Sequence, residues 1–149
     1  MGREKRKGDA AEVVRDCLAT RLRMANRVIT RIYDDALRPL GLKVTQLSML
    51  VVAEDRGLIR QSQVGAELQL DDSTLSRNLE RMRTNGWLEE VSAHDARVHS
   101  YRLTEEGKTL LDKAIPAWRN AQREAKRLLG NAGVQTLRRF AREQGFTAR

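Results

Sequence analysis

The chain has 149 residues, a single Cys, and 28 Lys and Arg against 20 Asp and Glu, for a formal charge of +8. Its size fits one domain with a real core but is short for a two-site enzyme, and a lone Cys excludes an internal disulfide framework and fits a reducing cytoplasm. The basic excess, with a pI near 10.4, points to a polyanionic partner, most commonly nucleic acid; a membrane-spanning role is excluded because no apolar run approaches the roughly 18 residues a span needs.

Residues 1–9, within "MGREKRKGDA", carry charge without the apolar region of a signal peptide and read as a flexible basic tail. From Ala10 to about Leu40 the residues Val14, Leu18, Leu22, Ala25, Ile29, Ile32, Ala36 and Leu37 recur at steps of three and four, one face of a long helix ended by Pro39 and Gly41. Residues 45–56, "TQLSMLVVAEDR", predict a second helix with Thr45 as N-cap and Gly57 as stop, apolar almost all round and therefore buried. A short helix follows over Ser62–Gln69, then a polar one in "LDDSTLSRNLERMRTNGWLEE". After Gly86 the period changes: "WLEEV" and "RVHSYRL", separated by "SAHDA", predict a two-stranded hairpin. Thr104, with Glu105 and Glu106 behind it, caps a long helix carrying Leu110, Leu111, Ala114, Ile115, Trp118, Ala121, Ala125, Leu128 and Leu129 to Gly130, kinked at Pro116. A last helix spans residues 132–144. Three helices and a hairpin make a winged helix-turn-helix.

The polar helix can be read by angle. Leu75, Leu79 and Met82 share one narrow stripe and pack inward, while Ser73, Thr74, Arg77, Glu80, Arg81 and Thr84 cover the other side. Asp71 or Asp72 is the expected N-cap and Asn85-Gly86 the stop. Hydroxyls and guanidinium forks at the N-terminal half of such a helix suit the major groove of double-stranded DNA. A solvated surface helix would look the same in isolation; its place after a second helix and a turn, and before a hairpin, favours recognition. In the hairpin, Arg97 suits a narrow minor groove, with Asp95 able to hold its guanidinium; the plainer reading is a surface ion pair.

Over residues 17–144 the chain resembles the MarR-type winged-helix regulators. The resemblance rests on "RVITRIYDDALRPLGLKVTQLSML", "DDSTLSRNLERMRTNGWL" and "DARVHSYRLTEEG", above all on the Asp-x-Arg followed by Leu-Thr-x-x-Gly. It implies a mainly α fold, a winged helix-turn-helix with long N- and C-terminal dimerisation helices. Residues 10–149 would form a single domain, with dimerisation helices at 10–40 and 104–146 and a DNA-binding lobe at 45–103. It also implies a homodimer on a pseudo-palindromic operator, most often a repressor released by a small molecule or an oxidant. Carried over by position, Ser73, Thr74, Ser76, Arg77, Asn78 and Arg81 are the recognition-helix contacts and Arg97, oriented by Asp95, the wing contact. Three positions depart from the family pattern: Val64-Gly65 replaces Leu-Ala, Gln69 stands where Gly is frequent, and Ala96 replaces a second wing Arg.

The dimer has support from the residues themselves. Val14, Leu18, Ile29, Ile32, Trp118, Leu128, Leu129, Leu137 and Phe140 are more apolar surface than the small motif can cover. For sensing, Cys17 lies two residues before the position at which the hydroperoxide-sensing branch of the family carries its reactive thiol. Arg15, Arg21 and Arg23 are near enough in sequence to lower its pKa, although an inert interface thiol is the plainer reading. The resemblance places an effector cleft near Tyr33, Leu50 and Trp118.

An enzyme is not indicated, since His94 and His99 both fall in the hairpin without a Cys pair or carboxylate cluster beside them; no cofactor or metal is expected. A winged helix used for protein contacts would show apolar residues on the exposed face of 73–84, and RNA binding would want more aromatic platforms than 4% of the chain supplies.

Overall fold

The computed structural model describes residues 2–91 and 99–145. Helices α1 (Gly2–Asp16) and α2 (Leu18–Leu37) run in series. Cys17 between them has φ −64° and ψ 108°, so the single helix expected over 10–40 is divided, and the tail expected over 1–9 is helical from Gly2. Hydrogen bonds bridge the break, from the Cys17 N–H to the Val13 carbonyl at 3.1 Å and from the Arg21 N–H to the Cys17 carbonyl at 3.2 Å. A single 3-10 turn, Arg38–Leu40, follows. Gly41 closes it in the left-handed region at φ 69°, the conformation glycine adopts without steric cost.

Helix α3 (Val44–Arg56) starts differently from the expected Thr45 cap. Lys43 is the N-cap; its N–H donates to Gln46 Oε1 at 3.0 Å, and the Val44 N–H donates to Asp34 Oδ1 at 2.8 Å. Two N–H groups at the start of this helix are therefore satisfied, one from α2 and one from its own first turn. Leu47, Met49, Leu50 and Ala53 are buried, but Val51 stays 45% exposed, so α3 keeps one open side. After it come β1 (Ile59–Arg60), α4 (Gln61–Leu68), α5 (Asp72–Thr84), β2 (Leu88–Val91), β3 (Ser100–Leu103) and α6 (Glu105–Glu143).

The expected two-stranded hairpin gains a third strand. The sheet is antiparallel with order β1-β3-β2, pairing Ile59 with Tyr101 on one side and Leu88 with Leu103, Glu89 with Arg102, and Glu90 with Tyr101 on the other. Strand β1 is two residues long, too short to show any alternation. The connection from β2 to β3 contains His94, Asp95, Ala96 and Arg97, which lie outside the described residues.

The core gathers Leu37 from α2, Met49 and Leu50 from α3, Ile59 from β1, Val64 from α4, Leu75, Leu79 and Met82 from α5, and Leu88 from β2, each at most 2% exposed. Outside this lobe α2 packs along α6. Helix α6 keeps helical backbone angles through Pro116 and breaks instead at Gly130, φ 66° and ψ 170°. The expected division at residue 130 is present; the break is at the glycine, not at the proline.

One joint ties the lobe to α6. Thr104 caps the helix, its Oγ1 accepting from the Gly107 N–H at 3.0 Å and donating to the Gly86 carbonyl at 2.5 Å. Gly107 lies so close to the chain at Trp87 that a Cβ would meet the Trp87 carbonyl oxygen at 2.2 Å and Leu103 Cδ2 at 2.8 Å. This explains the glycine in the Leu-Thr-x-x-Gly run. Gly107→Ala is expected to lower urea stability by about 2 to 3 kcal/mol through overpacking against backbone. Gly8→Ala, at a helical site with nothing within 4 Å, should leave stability unchanged or slightly raised.

Candidate nucleic-acid interface

Helix α5 is held in place by its apolar stripe. Leu75, Leu79 and Met82 are at most 1% exposed, which turns Ser73, Arg77, Glu80, Arg81 and Thr84 outward; Thr74 and Asn78 are half-buried at one flank. Ser76 is exposed at the other. Of the six helix residues expected to touch DNA, Ser73, Ser76, Arg77 and Arg81 are therefore exposed, and Thr74 and Asn78 border the core.

Asp71 organises the start of this helix. Its carboxylate accepts from the Thr74 N–H at 2.8 Å, the Thr74 hydroxyl at 2.7 Å and the Ser73 hydroxyl at 2.6 Å. Those bonds, the Ser73 hydroxyl first, hold the carboxyl far below the usual carboxylate range. Arg77 is folded back along the helix, Nε donating to the Ser73 carbonyl at 2.9 Å and Nη2 to Ser73 Oγ at 3.2 Å. Asn78 donates from Nδ2 to the Thr74 carbonyl at 2.9 Å. The hydroxyl protons of Ser73 and Thr74 are thus occupied inside the helix rather than presented outward.

The acid on this face is also held. Glu80 receives Arg83 through both Nη2 and Nε, at 2.7 and 3.1 Å, and the pairing holds its carboxyl below its ordinary value. Arg81 and Arg83, near the C-terminal end of α5, complement its dipole.

Gln61, at the start of α4, was not singled out by sequence reasoning. Its Nε2 donates to Ser76 Oγ at 3.0 Å, and its backbone N–H donates to the His99 carbonyl at 3.1 Å. It therefore links the base of the wing to the recognition helix. The Gln-Ser pairing crosses 15 residues, so no local pattern announces it. Across the two strands of the wing base, His99 Nδ1 lies 2.6 Å from Glu90 Oε1 and Arg102 Nε donates to Glu89 at 2.5 Å.

The turn between α4 and α5 accounts for two departures. Gln69 adopts φ 51° and ψ 47°, the left-handed conformation that favours Gly, with its Nε2 donating to the Ala66 carbonyl at 2.6 Å. Gly65 packs directly under α5: a Cβ there would lie 2.9 Å from Leu75 Cδ2. The Val64-Gly65 pair thus brings α4 closer to the recognition helix than an Ala would allow without movement of Leu75.

A family model described as the MarR family matches residues 40–98, from the turn after α2 to the wing. MosR, a transcriptional regulator of M. tuberculosis crystallised in complex with DNA, superposes with a TM-score of 0.76 at 35% identity, covering 87% of this chain and 94% of that one. The chain belongs to the MarR family. A cysteine-to-serine mutant of MarR of E. coli complexed with operator DNA gives the same TM-score at 22% identity, over 89% of this chain and 96% of that one, a likeness of fold alone. The HTH-type transcriptional regulator YwoH of Bacillus subtilis is 27% identical over 89 residues, and the match spans 60% of this chain and 65% of that protein's length.

The sensing residues expected of a MarR-family chain are placed unevenly. Cys17 sits at the N-cap of α2, partly exposed, and the Thr20 hydroxyl and backbone N–H facing it, with a smaller contribution from Arg21, hold the thiol below its ordinary value. Thr20 comes first among these causes, ahead of the arginines named from the sequence. Leu50 is fully buried in the core, Tyr33 donates its hydroxyl to Gln122 of α6, and Trp118 is about one-third exposed on α6. The cleft where α2 meets the lobe lies elsewhere: about 540 Å³, with Asn26, Arg27, Arg31, Asp34, Lys43 and Arg81 in its wall. Among the described residues no cluster of three or more His, Cys, Asp or Glu is arranged to hold a metal, and no single helix is long and apolar enough to cross a membrane.

Proposed function

We propose that this MarR-family transcriptional regulator is a cytoplasmic homodimeric repressor that reads a pseudo-palindromic operator in double-stranded DNA. Helix α5 enters the major groove and Arg97, oriented by Asp95, reaches the minor groove. The observation that carries the reading is the exposed face of α5, where Ser76, Arg77 and Arg81 offer donors and charge beside Ser73, with no large apolar side chain among them. A face built for protein contacts would carry an apolar anchor at its centre.

The dimer is supported by the terminal helices. Val14, Leu18, Leu22 and Met24 of the N-terminal helices, and Leu128, Leu137 and Phe140 of α6, are 47–84% exposed in the single chain. Burying one such Leu side chain is worth roughly 1.5 to 3 kcal/mol, and soluble monomers rarely leave so many together in water. Two copies about a two-fold set two α5 helices one helical turn of DNA apart, about 34 Å.

Release by a small molecule is supported by the cleft beside α2, because Arg81 belongs both to its wall and to the DNA-facing side of α5. A small anion seated there competes for the same guanidinium. Release by oxidant is the second reading, supported by the Cys17 thiol at the N-cap of α2: attack of the thiolate on a peroxide forms an S–O bond, breaks the O–O bond, oxidises the sulfur to a sulfenic acid and expels hydroxide or an alkoxide, which takes a proton from water.

Selection from a random duplex pool at physiological salt is expected to return an inverted repeat with half-sites one turn apart; absence of any enriched sequence would remove DNA readout from the proposal. Against the recovered site Arg97→Ala should weaken binding by about 1 to 3 kcal/mol, and unchanged affinity at matched salt would take the wing out of the mechanism. Leu18→Glu with Leu22→Glu, at positions 73% and 62% exposed in the single chain, should sediment as a folded monomer and lose the inverted repeat. If the pair still sediments as a dimer, the interface lies elsewhere. Peroxide should weaken operator binding in a manner reversed by a thiol reductant and absent in Cys17→Ser; a response unaltered in that variant, or no response, removes Cys17 as the sensor.

A further inference from the structure

We propose that Arg77 reads a guanine in each half-site, and that Ser73 and Asp71 are the positioning residues that hold its guanidinium for that contact. The inference rests on the reading of α5 as the DNA-facing helix and deepens it by naming the base.

A guanidinium presents two forks of parallel N–H groups, a side fork made by Nε and Nη2 and an end fork made by Nη1 and Nη2. In Arg77 the side fork is occupied: Nε donates to the Ser73 carbonyl at 2.9 Å and Nη2 to Ser73 Oγ at 3.2 Å. Both acceptors belong to one residue a turn earlier, so the plane of the group is fixed relative to the helix. Among the described residues Nη1 makes no hydrogen bond, and the side chain is exposed, so the end fork is open to a partner outside the chain. Two parallel donors match the O6 and N7 acceptors of guanine in the major groove; adenine presents a donor beside its N7, and neither pyrimidine presents two adjacent acceptors.

Ser73 can hold Arg77 in this way only because its own proton is taken. A serine hydroxyl has one donor and two lone pairs. Its proton is given to Asp71 Oδ1 at 2.6 Å, which leaves the oxygen as an acceptor for Nη2. Asp71, in turn, is anchored by the Thr74 N–H at 2.8 Å and the Thr74 hydroxyl at 2.7 Å. The direction of donation therefore runs from Arg77 to Ser73 to Asp71, and the negative charge at its end strengthens each step. A long, freely rotating arginine would lose side-chain entropy on docking; one held beforehand loses less, and the geometry that rejects other bases is set before DNA arrives.

The test is selection of bound duplexes by the wild type and by Arg77→Lys, Ser73→Ala and Ser73→Thr, read position by position. The wild type is expected to enrich guanine at one position in each half-site. Arg77→Lys keeps the charge without the fork, and should reduce the preference at that position by about 10-fold or more, with the other positions of the site keeping theirs. Ser73→Ala should relax the same position, and Ser73→Thr, which restores a hydroxyl, should recover it; a role in folding alone would weaken all positions together and would not follow the hydroxyl. An enriched site whose guanine preference is unmoved by Arg77→Lys, or one unmoved by Ser73→Ala, overturns this assignment while leaving DNA reading intact. A wild-type pool with no enriched sequence overturns the DNA-reading proposal itself, and this inference with it.

Discussion

The rotation of α5 about its own axis is the constraint on which the rest of the molecule depends. Leu75, Leu79 and Met82 are sealed in the lobe at 1% exposure or less, and turning the helix by one residue, about 100°, would expose all three. At roughly 1.5 to 3 kcal/mol for each large apolar side chain, that rotation costs a large part of the stability of an ordinary small domain. The outward position of Ser73, Arg77 and Arg81 is therefore a consequence of core packing. Gly65 contributes from below, since its missing side chain lets α4 support Leu75 at close range.

The two halves of the chain are stabilised differently. The lobe from Leu37 to Ala114 closes its own core, whereas Val14, Leu18, Leu22, Leu128 and Phe140 remain open to water. The halves are joined through a short and stiff connection: β3 runs into α6 through Thr104, whose hydroxyl donates to the Gly86 carbonyl, and Gly107 rests on the Trp87 carbonyl. The carbonyls of Gly86 and Trp87, in the turn between α5 and β2, are thus contacted by the first turn of the longest helix. The contacts at that joint are close-packed against backbone, so α6 and the turn after α5 have little room to move independently.

What was legible in the sequence follows from how local each feature is. The inward stripe of α5, the Asp71 cap, the Asn85-Gly86 stop, the Thr104 cap and the break near residue 130 are all encoded within one or two turns, and all are present. The interruption at Cys17 was not legible, because the apolar spacing continues in phase across it. The start of α3 at Lys43 and not at Thr45 is not legible locally, because Asp34, ten residues before Val44, accepts from the Val44 N–H. Strand β1 owes its existence to pairing with Tyr101 and Ser100, about forty residues away. In the candidate site the residues of α5 could be named from angle alone. Their hydrogen-bond directions could not, and neither could Gln61, whose partner Ser76 lies on another helix. Leu50 was placed at a cleft by resemblance, but it lies at the centre of α3, where burial is complete.

The charge of the chain and the chemistry of α5 answer different questions about a nucleic-acid partner. An excess of eight positive charges attracts any phosphate backbone, and that attraction falls with salt without distinguishing sequences. Carboxylates on the exposed face of α5 would weaken it, yet Asp71, Asp72 and Glu80 stand there. Asp71 is surrounded by three donors from Ser73 and Thr74, and Glu80 is gripped by the Arg83 fork. The Glu80 charge is compensated by its arginine, and Asp71 lies at the positive end of a helix dipole, where an anion is stabilised. Acids so held repel phosphate less than free ones, and they fix the neighbouring hydroxyls and guanidinium in definite orientations. A face of arginines alone would bind more tightly and choose less well; the acids exchange some of that unselective attraction for donors in fixed directions, which is what reading a base edge requires.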